Sequence, residues 1–152
     1  MFSNLFLQSN RTLSNISMLL IRITVGGITF YSGAGKALGW FGGFGIEKTL
    51  EAFKNFMNIP PFWTYMCAYT ELIGGFLIMI GFFTRPAAFA VMINMIVATV
   101  LTGADKFWTG GNFPFTLAVG CLAILLIGPG DYSVDAILFK RKIQDRAMAS
   151  SL

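Results

Sequence analysis

Two ionisable residues stand inside otherwise apolar runs, Arg22 in the run over about 13–34 and Glu71 in the run over 62–83. A charged side chain deep in a bilayer costs about 2.5–3.5 kcal/mol on insertion scales, so it turns inward and finds a partner or a ligand. Counting about 1.5 Å per residue puts Arg22 and Glu71 each about 13 Å from the end of its run, hence at similar depth. The long Arg side chain can cover the distance that remains. Asn94, in the run over 87–102, comes near the same level, and Thr24, Thr70 and Thr99 extend the set. Such a cluster has two uses. It can be a buried ion pair that sets helix register, or a site for a polar headgroup or a proton. Tyr31 and Tyr69, with Phe30, are candidate walls for a ligand held there.

Other chemistry is thinner. The chain has no His, which removes bis-His haem, the usual zinc sets and the commonest general base. Cys67 and Cys121 are its two cysteines; neither belongs to a Cys-x-x-Cys pair, and both read as inert thiols embedded in apolar runs. A disulfide between them is disfavoured by depths that differ by roughly 6 Å. Gly33-Ala34-Gly35-Lys36 is not a phosphate loop, because an apolar span precedes it and no Ser or Thr follows the Lys. No metal site and no electron carrier are evident, so redox work requires a partner or a bound cofactor.

The elements that hold these residues follow from composition. Of 152 residues, 55% are hydrophobic and 12% charged, and the mean hydropathy is +0.69. A soluble domain carries roughly 25% charge, so the chain is expected to be an integral membrane protein. Four runs, about 13–34, 62–83, 87–102 and 115–127, read as membrane-spanning helices, because none alternates as a barrel strand must. The fold expected is an all-α four-helix bundle forming one transmembrane domain over 1–152. Thr84-Arg85-Pro86 is a tight hairpin link between the second and third spans. The first loop has a Gly-rich aromatic half, 39–45. Its second half, 46–57, carries Ile46, Leu50, Phe53 and Met57 on one stripe, which predicts a helix lying on the outer membrane surface.

Arg11, Arg85, Lys140, Arg141, Lys142 and Arg146 flank one side, against Lys36, Lys48, Lys54 and Lys106 on the other. Both termini, including a basic tail at 140–152, are therefore expected in the cytoplasm. Arg22 interrupts the first run, which argues for a retained span rather than a cleaved signal. After the fourth span, Asp131 or Ser133 is placed to cap a short helix carrying Val134, Ile137 and Leu138.

Several of these residues together resemble the DoxX family of small four-span membrane proteins. They are Leu20-Ile21-Arg22-Ile23 with Gly26, the Gly33-x-x-Lys36 exit, Glu71-x-x-Gly74-Gly75, Gly81-x-x-Thr84-Arg85, and the closing Gly128-Pro129-Gly130-x-x-Ser133-x-Asp135. One departure is Phe113-Pro114-Phe115-Thr116, where family members often carry an aromatic and an acidic residue. The resemblance implies a component of a quinone-linked redox system in the bacterial cytoplasmic (inner) membrane, with some members resembling partners of thiol- or superoxide-handling proteins. Two functions stay open at this point. One is a redox-associated subunit that binds a quinone- or lipid-like molecule in the bundle. The other is a non-enzymatic anchor, assembly subunit or small-molecule carrier. The expected partners are the lipid bilayer and either a protein partner or further copies of the chain; nucleic acid is not among them.

Overall fold

The computed structural model describes residues 11–102 and 106–138, so the basic tail at 140–152 lies outside the described residues. Helix α1 runs Arg11–Leu38 and stops at Gly39, whose φ of 72° supplies the left-handed turn that ends a helix. A single 3₁₀ turn, Trp40–Gly42, leads into α2, Gly45–Met57. Asn58 at φ 52° closes α2, and Pro61 occupies the first turn of α3, Pro61–Ile80, where a missing N–H costs nothing. Gly81 at φ 74° ends α3, and α4, Thr84–Thr102, follows at once, so the link is 81–83 and Thr84-Arg85-Pro86, expected as the link, instead form the first turn of α4, where a proline is tolerated. A π-helical turn, Phe107–Gly111, opens into α5, Asn112–Ile127.

Four helical stretches are long and apolar enough to cross a membrane: Thr12–Leu38, Pro61–Ile80, Thr84–Thr102 and Phe107–Ile127. The architecture is thus an all-α membrane bundle, with no strand among the described residues. The fourth stretch is longer than its apolar run at 115–127. Its backbone is already helical before Pro114, through an aromatic and Gly-rich segment that has no apolar period to announce it.

Glycines set how closely the helices approach. Helix α1 lies antiparallel against α3, with Gly26 on Gly75 and Met79, and Gly33 on the backbone of Glu71 and Leu72. A Cβ on Gly26 would stand 2.7 Å from the Met79 nitrogen, so the two backbones touch as only small residues allow. Gly74 receives Val91 of α4, and Gly120 of α5 receives Val25 of α1, which closes the ring α1, α3, α4, α5. Inside it pack Met18, Val25, Ile78, Val91, Leu117 and Ile124 with smaller neighbours. Large apolar side chains such as Val100 and Leu126 face outward, as a lipid-facing surface requires.

One end of the bundle is stapled by the chain after α5. Asn15 donates to Asp131 at 2.8 Å, so the start of α1 and residues 131–133 meet at the same end. Ser133 Oγ accepts from the Ala136 N–H at 3.1 Å and caps the helical turn at 134–138, so of the two candidates Ser133 is the cap. Asp135 reaches back to α4. Its carboxylate accepts from Phe83 N and Thr84 N, both at 3.0 Å, and from Thr84 Oγ1 at 2.8 Å. Replacing Asp135 with Ala is expected to cost about 2 kcal/mol, the range of a lost cap plus charge-assisted hydrogen bonds. Hydrogen exchange at the Phe83 and Thr84 amides should accelerate in the variant; unchanged exchange would contradict the capping role.

Candidate functional site

The polar centre of the bundle is built on Glu71. Its carboxylate is 2% exposed, and the Lys36 ammonium touches both oxygens at 2.7 Å. Asn94 of α4 donates to Glu71 Oε1 at 3.4 Å and to the Cys67 carbonyl at 3.3 Å. The Cys67 thiol lies 3.6 Å from the same Oε1, one helical turn before Glu71 on α3. Three helices therefore converge on one carboxylate, whose charge is balanced by one cation and oriented by two neutral donors. Glu71 and Asn94 are brought together, as their depths predict.

Arg22 is not part of this centre, and the expected Arg22–Glu71 pair does not form. Gly33 of α1 faces Glu71 and Leu72, so Arg22, eleven residues earlier, lies about 16 Å farther along the axis. It sits instead beside Gly81, at the very end of α3, where a Cβ would collide with the guanidinium. Arg22 Nη2 donates to the Tyr132 carbonyl at 2.5 Å, and the charge of Asp135 acts on the same group. The depth count fails because it lets both runs begin and end in one slab. The first ten or so residues of α1 project beyond the end of α3 and are covered by residues 128–133, with Gly130 packed on Met18.

The partner that sequence reasoning missed is Lys36, which looked like a flanking charge at a membrane surface. Its signal was the spacing Gly33-x-x-Lys36. A residue three positions after Gly33 shares its helix face, and side chains of a helix lean toward its N-terminus, back to the level of Glu71. Sequence reasoning likewise reads Cys67 as inert, although its i, i+4 relation to Glu71 places both on one stripe.

Lys36 also borders a cavity of about 280 Å³ at this end of the bundle, walled by Tyr31, Ser32, Trp40, Phe41, Phe44 and Thr49. Its side chain is 31% exposed, so one residue joins the buried carboxylate to the open cavity. Tyr31 stacks on Phe41 with centroids 4.8 Å apart and planes at 22°. The cavity roof is held down by Gly43 against the backbone of Gly35, and by Thr49, whose hydroxyl donates to the Lys36 carbonyl at 3.2 Å. Tyr31 thus walls the cavity. Tyr69 does not reach the centre: it is exposed and stacks on Tyr65 along the outside of α3. Phe30 packs on Phe76, Thr24 is exposed, and Thr99 spends its hydroxyl on the Met95 carbonyl of its own helix. Both cysteines are free thiols, and Cys121 belongs to the apolar core. Chemically the centre can present a hydrogen-bond and proton donor to an aromatic-walled cavity, backed by a carboxylate sealed from solvent.

A family model described as DoxX matches residues 17–104. Among curated proteins, the chain is 31% identical to "Putative oxidoreductase CatD" of Bacillus subtilis (strain 168) over 128 residues, which covers 84% of this chain and 90% of that protein. It is 28% identical to "Inner membrane protein YqjF" of Escherichia coli (strain K12) over 137 residues, covering 86% and 98%. A third relative, an uncharacterised membrane protein of Mycobacterium tuberculosis, is 30% identical over 101 residues, covering 56% and 62%. No solved structure matches the chain.

Proposed function

From the premise that the chain belongs to the DoxX family, we propose that it is the membrane component of a quinone-linked redox system and holds a quinone-like ring in the cavity beside Lys36. The observation that carries this reading is the double position of Lys36, whose ammonium is bonded to both oxygens of Glu71 and whose partly exposed side chain borders an aromatic-walled cavity. The name of the Bacillus relative, an oxidoreductase, is in keeping with it.

The residues present fit such a group. At about 280 Å³ the cavity is close to the lower bound of roughly 300 Å³ for small-molecule sites, which suits one ring with its tail left among lipid. A quinone bound there supplies two-electron, two-proton carrier chemistry. The part of this chain is to bind and orient. Lys36 Nζ donates to a ring oxygen while it keeps Glu71 neutralised, Asn94 and Cys67 hold Glu71 Oε1 in place, and Trp40 with the Tyr31–Phe41 stack offers flat faces. Electrons come from a partner protein in this reading. The bundle sits in the cytoplasmic membrane with the Arg85 end inward, in keeping with the basic flanks and with the inner-membrane name of the Escherichia relative.

A second reading, a non-enzymatic anchor or assembly subunit, draws on Phe44 and Phe56, which are 77% and 87% exposed at the cavity end. One experiment separates the two. Protein purified in neutral detergent and extracted with solvent should yield about one quinone per chain, as expected of a single preformed pocket. Replacing Tyr31 and Trp40 together with Ala should lower the retained quinone about tenfold, because two aromatic walls are lost. Both side chains are more than half exposed, so the fold should persist. A parent protein free of quinone, or an undiminished yield from the double variant, would overturn the proposal and leave the anchoring role.

A further inference from the structure

A larger cavity, of about 640 Å³, lies at the opposite end of the bundle, where the turn from α3 to α4 meets the chain after α5. Its walls are mostly apolar, with Phe82, Phe83, Pro86, Pro129 and Leu138 forming the sides. The Phe83 backbone is held at φ 46°, a left-handed conformation that costs a bulky residue energy and persists only where its surroundings enforce it. Here the enforcement is the Asp135 carboxylate, bonded to Phe83 N and Thr84 N, and the result is a T-shaped Phe82–Phe83 pair with centroids 4.9 Å apart.

Two charged residues line this cavity, Arg85 and Asp135, and they differ in what already holds them. The Asp135 carboxylate is engaged by three donors of the turn it caps. Arg85 also lines the cavity and has no carboxylate within ion-pair reach among the described residues. Its guanidinium rests over Gly128, where a Cβ would come within 3.3 Å of Nη2. The level matters too. Ile80 ends α3, Thr84 begins α4 and Ile127 ends α5, so the cavity lies where spans leave the hydrocarbon, and Phe83 and Leu138 are exposed beside it.

We infer that this cavity is a binding site for an anionic phospholipid, with the phosphate on the Arg85 guanidinium and the glycerol and upper acyl chains against Phe83, Pro86 and Leu138. An apolar pocket with one uncompensated guanidinium at the headgroup level matches that ligand in both parts, since the fork of Arg donors suits phosphate oxygens and the walls suit hydrocarbon. It is independent of the quinone reading, which concerns the other end of the bundle.

The test is native mass spectrometry of the full chain in neutral detergent, titrated separately with phosphatidylglycerol, phosphatidylcholine and soluble glycerol 3-phosphate. The parent protein should retain phosphatidylglycerol about tenfold better than phosphatidylcholine, as expected of one charge-assisted bidentate contact. Arg85→Ala should bring that ratio to about one, and Arg85→Lys should keep part of it. Ala136→Leu, which narrows the cavity without touching its charge, should weaken retention of both lipids, and it serves should Arg85→Ala fail to fold. Equal retention of the two lipids by the parent, a preference that survives Arg85→Ala, or full retention in Ala136→Leu would each overturn the inference. Complete displacement of lipid by glycerol 3-phosphate would overturn it as well, in favour of a soluble phosphate ligand.

Discussion

Replacing Lys36 with Met is expected to destabilise the bundle by about 3–5 kcal/mol, the cost of orphaning a buried charge. Glu71 would keep only Asn94 and the Cys67 thiol, at 3.4 and 3.6 Å, as partners for a carboxylate that is 2% exposed. Replacing Glu71 with Gln should be far milder, about 1 kcal/mol, since the Lys36 side chain is 31% exposed and can turn its ammonium into the cavity and toward water. The asymmetry follows from which partner can escape. Combining Lys36→Met with Glu71→Leu should return the protein to within about 1 kcal/mol of the parent, because no buried charge remains to be solvated. Thermal unfolding in detergent, followed by tryptophan fluorescence or by loss of the monodisperse peak, measures all three. Equal losses in the two single variants would mean that Lys36 is as sealed from solvent as Glu71. A double variant no better than Lys36→Met would mean that the pair is valued for more than its charge balance.

The four spans, the shortness of the link between the second and third, the amphipathic helix near 46–57 and the Ser133 cap are legible because each rests on local pattern, although that link falls at 81–83 and not at 84–86. Apolar runs must be helical in lipid, and a Ser placed three residues before a free N–H can cap it. The meeting of Glu71 with Asn94 is legible as well, since α3 and α4 are joined by so short a turn that residues at equal distance from it must lie level. The Arg22–Glu71 pairing failed for the opposite reason. The two sit on α1 and α3, joined through the long first loop, so their register is set by which glycines interlock and not by distance from a shared turn. The partner that Arg22 does find, the Tyr132 carbonyl, is 110 residues away and is a backbone group, so no side-chain type could announce it. Lys36 was hidden by the same uncertainty, since a Lys near a span end reads as a flank until the register brings it level with Glu71.

That dependence of the site on register makes Gly33 the second position of large effect. Adding only a methyl group, as Gly33→Ala, is expected to destabilise the bundle by about 3 kcal/mol or more, at or above the usual range for overpacking. The new Cβ would collide with the backbone of Glu71 and Leu72, and backbone cannot rotate out of the way as a side chain can. Helix α1 must then move off α3. The movement would draw Lys36, one turn along α1, from its 2.7 Å contacts with Glu71, so the loss should exceed that of a packing defect alone. Gly27→Ala is the matched control. It lies on the same helix six residues earlier, a Cβ there meets nothing within 4 Å, and Ala is the better helix former by about 1 kcal/mol in exposed helix interiors. Unfolding temperatures of the two variants in one detergent should therefore move in opposite directions, or Gly27→Ala should stay level with the parent while Gly33→Ala falls well below. Should the Gly33 variant match the Gly27 variant, α1 and α3 would not be in backbone contact at Glu71, and the Lys36–Glu71 centre would lack the register on which it depends.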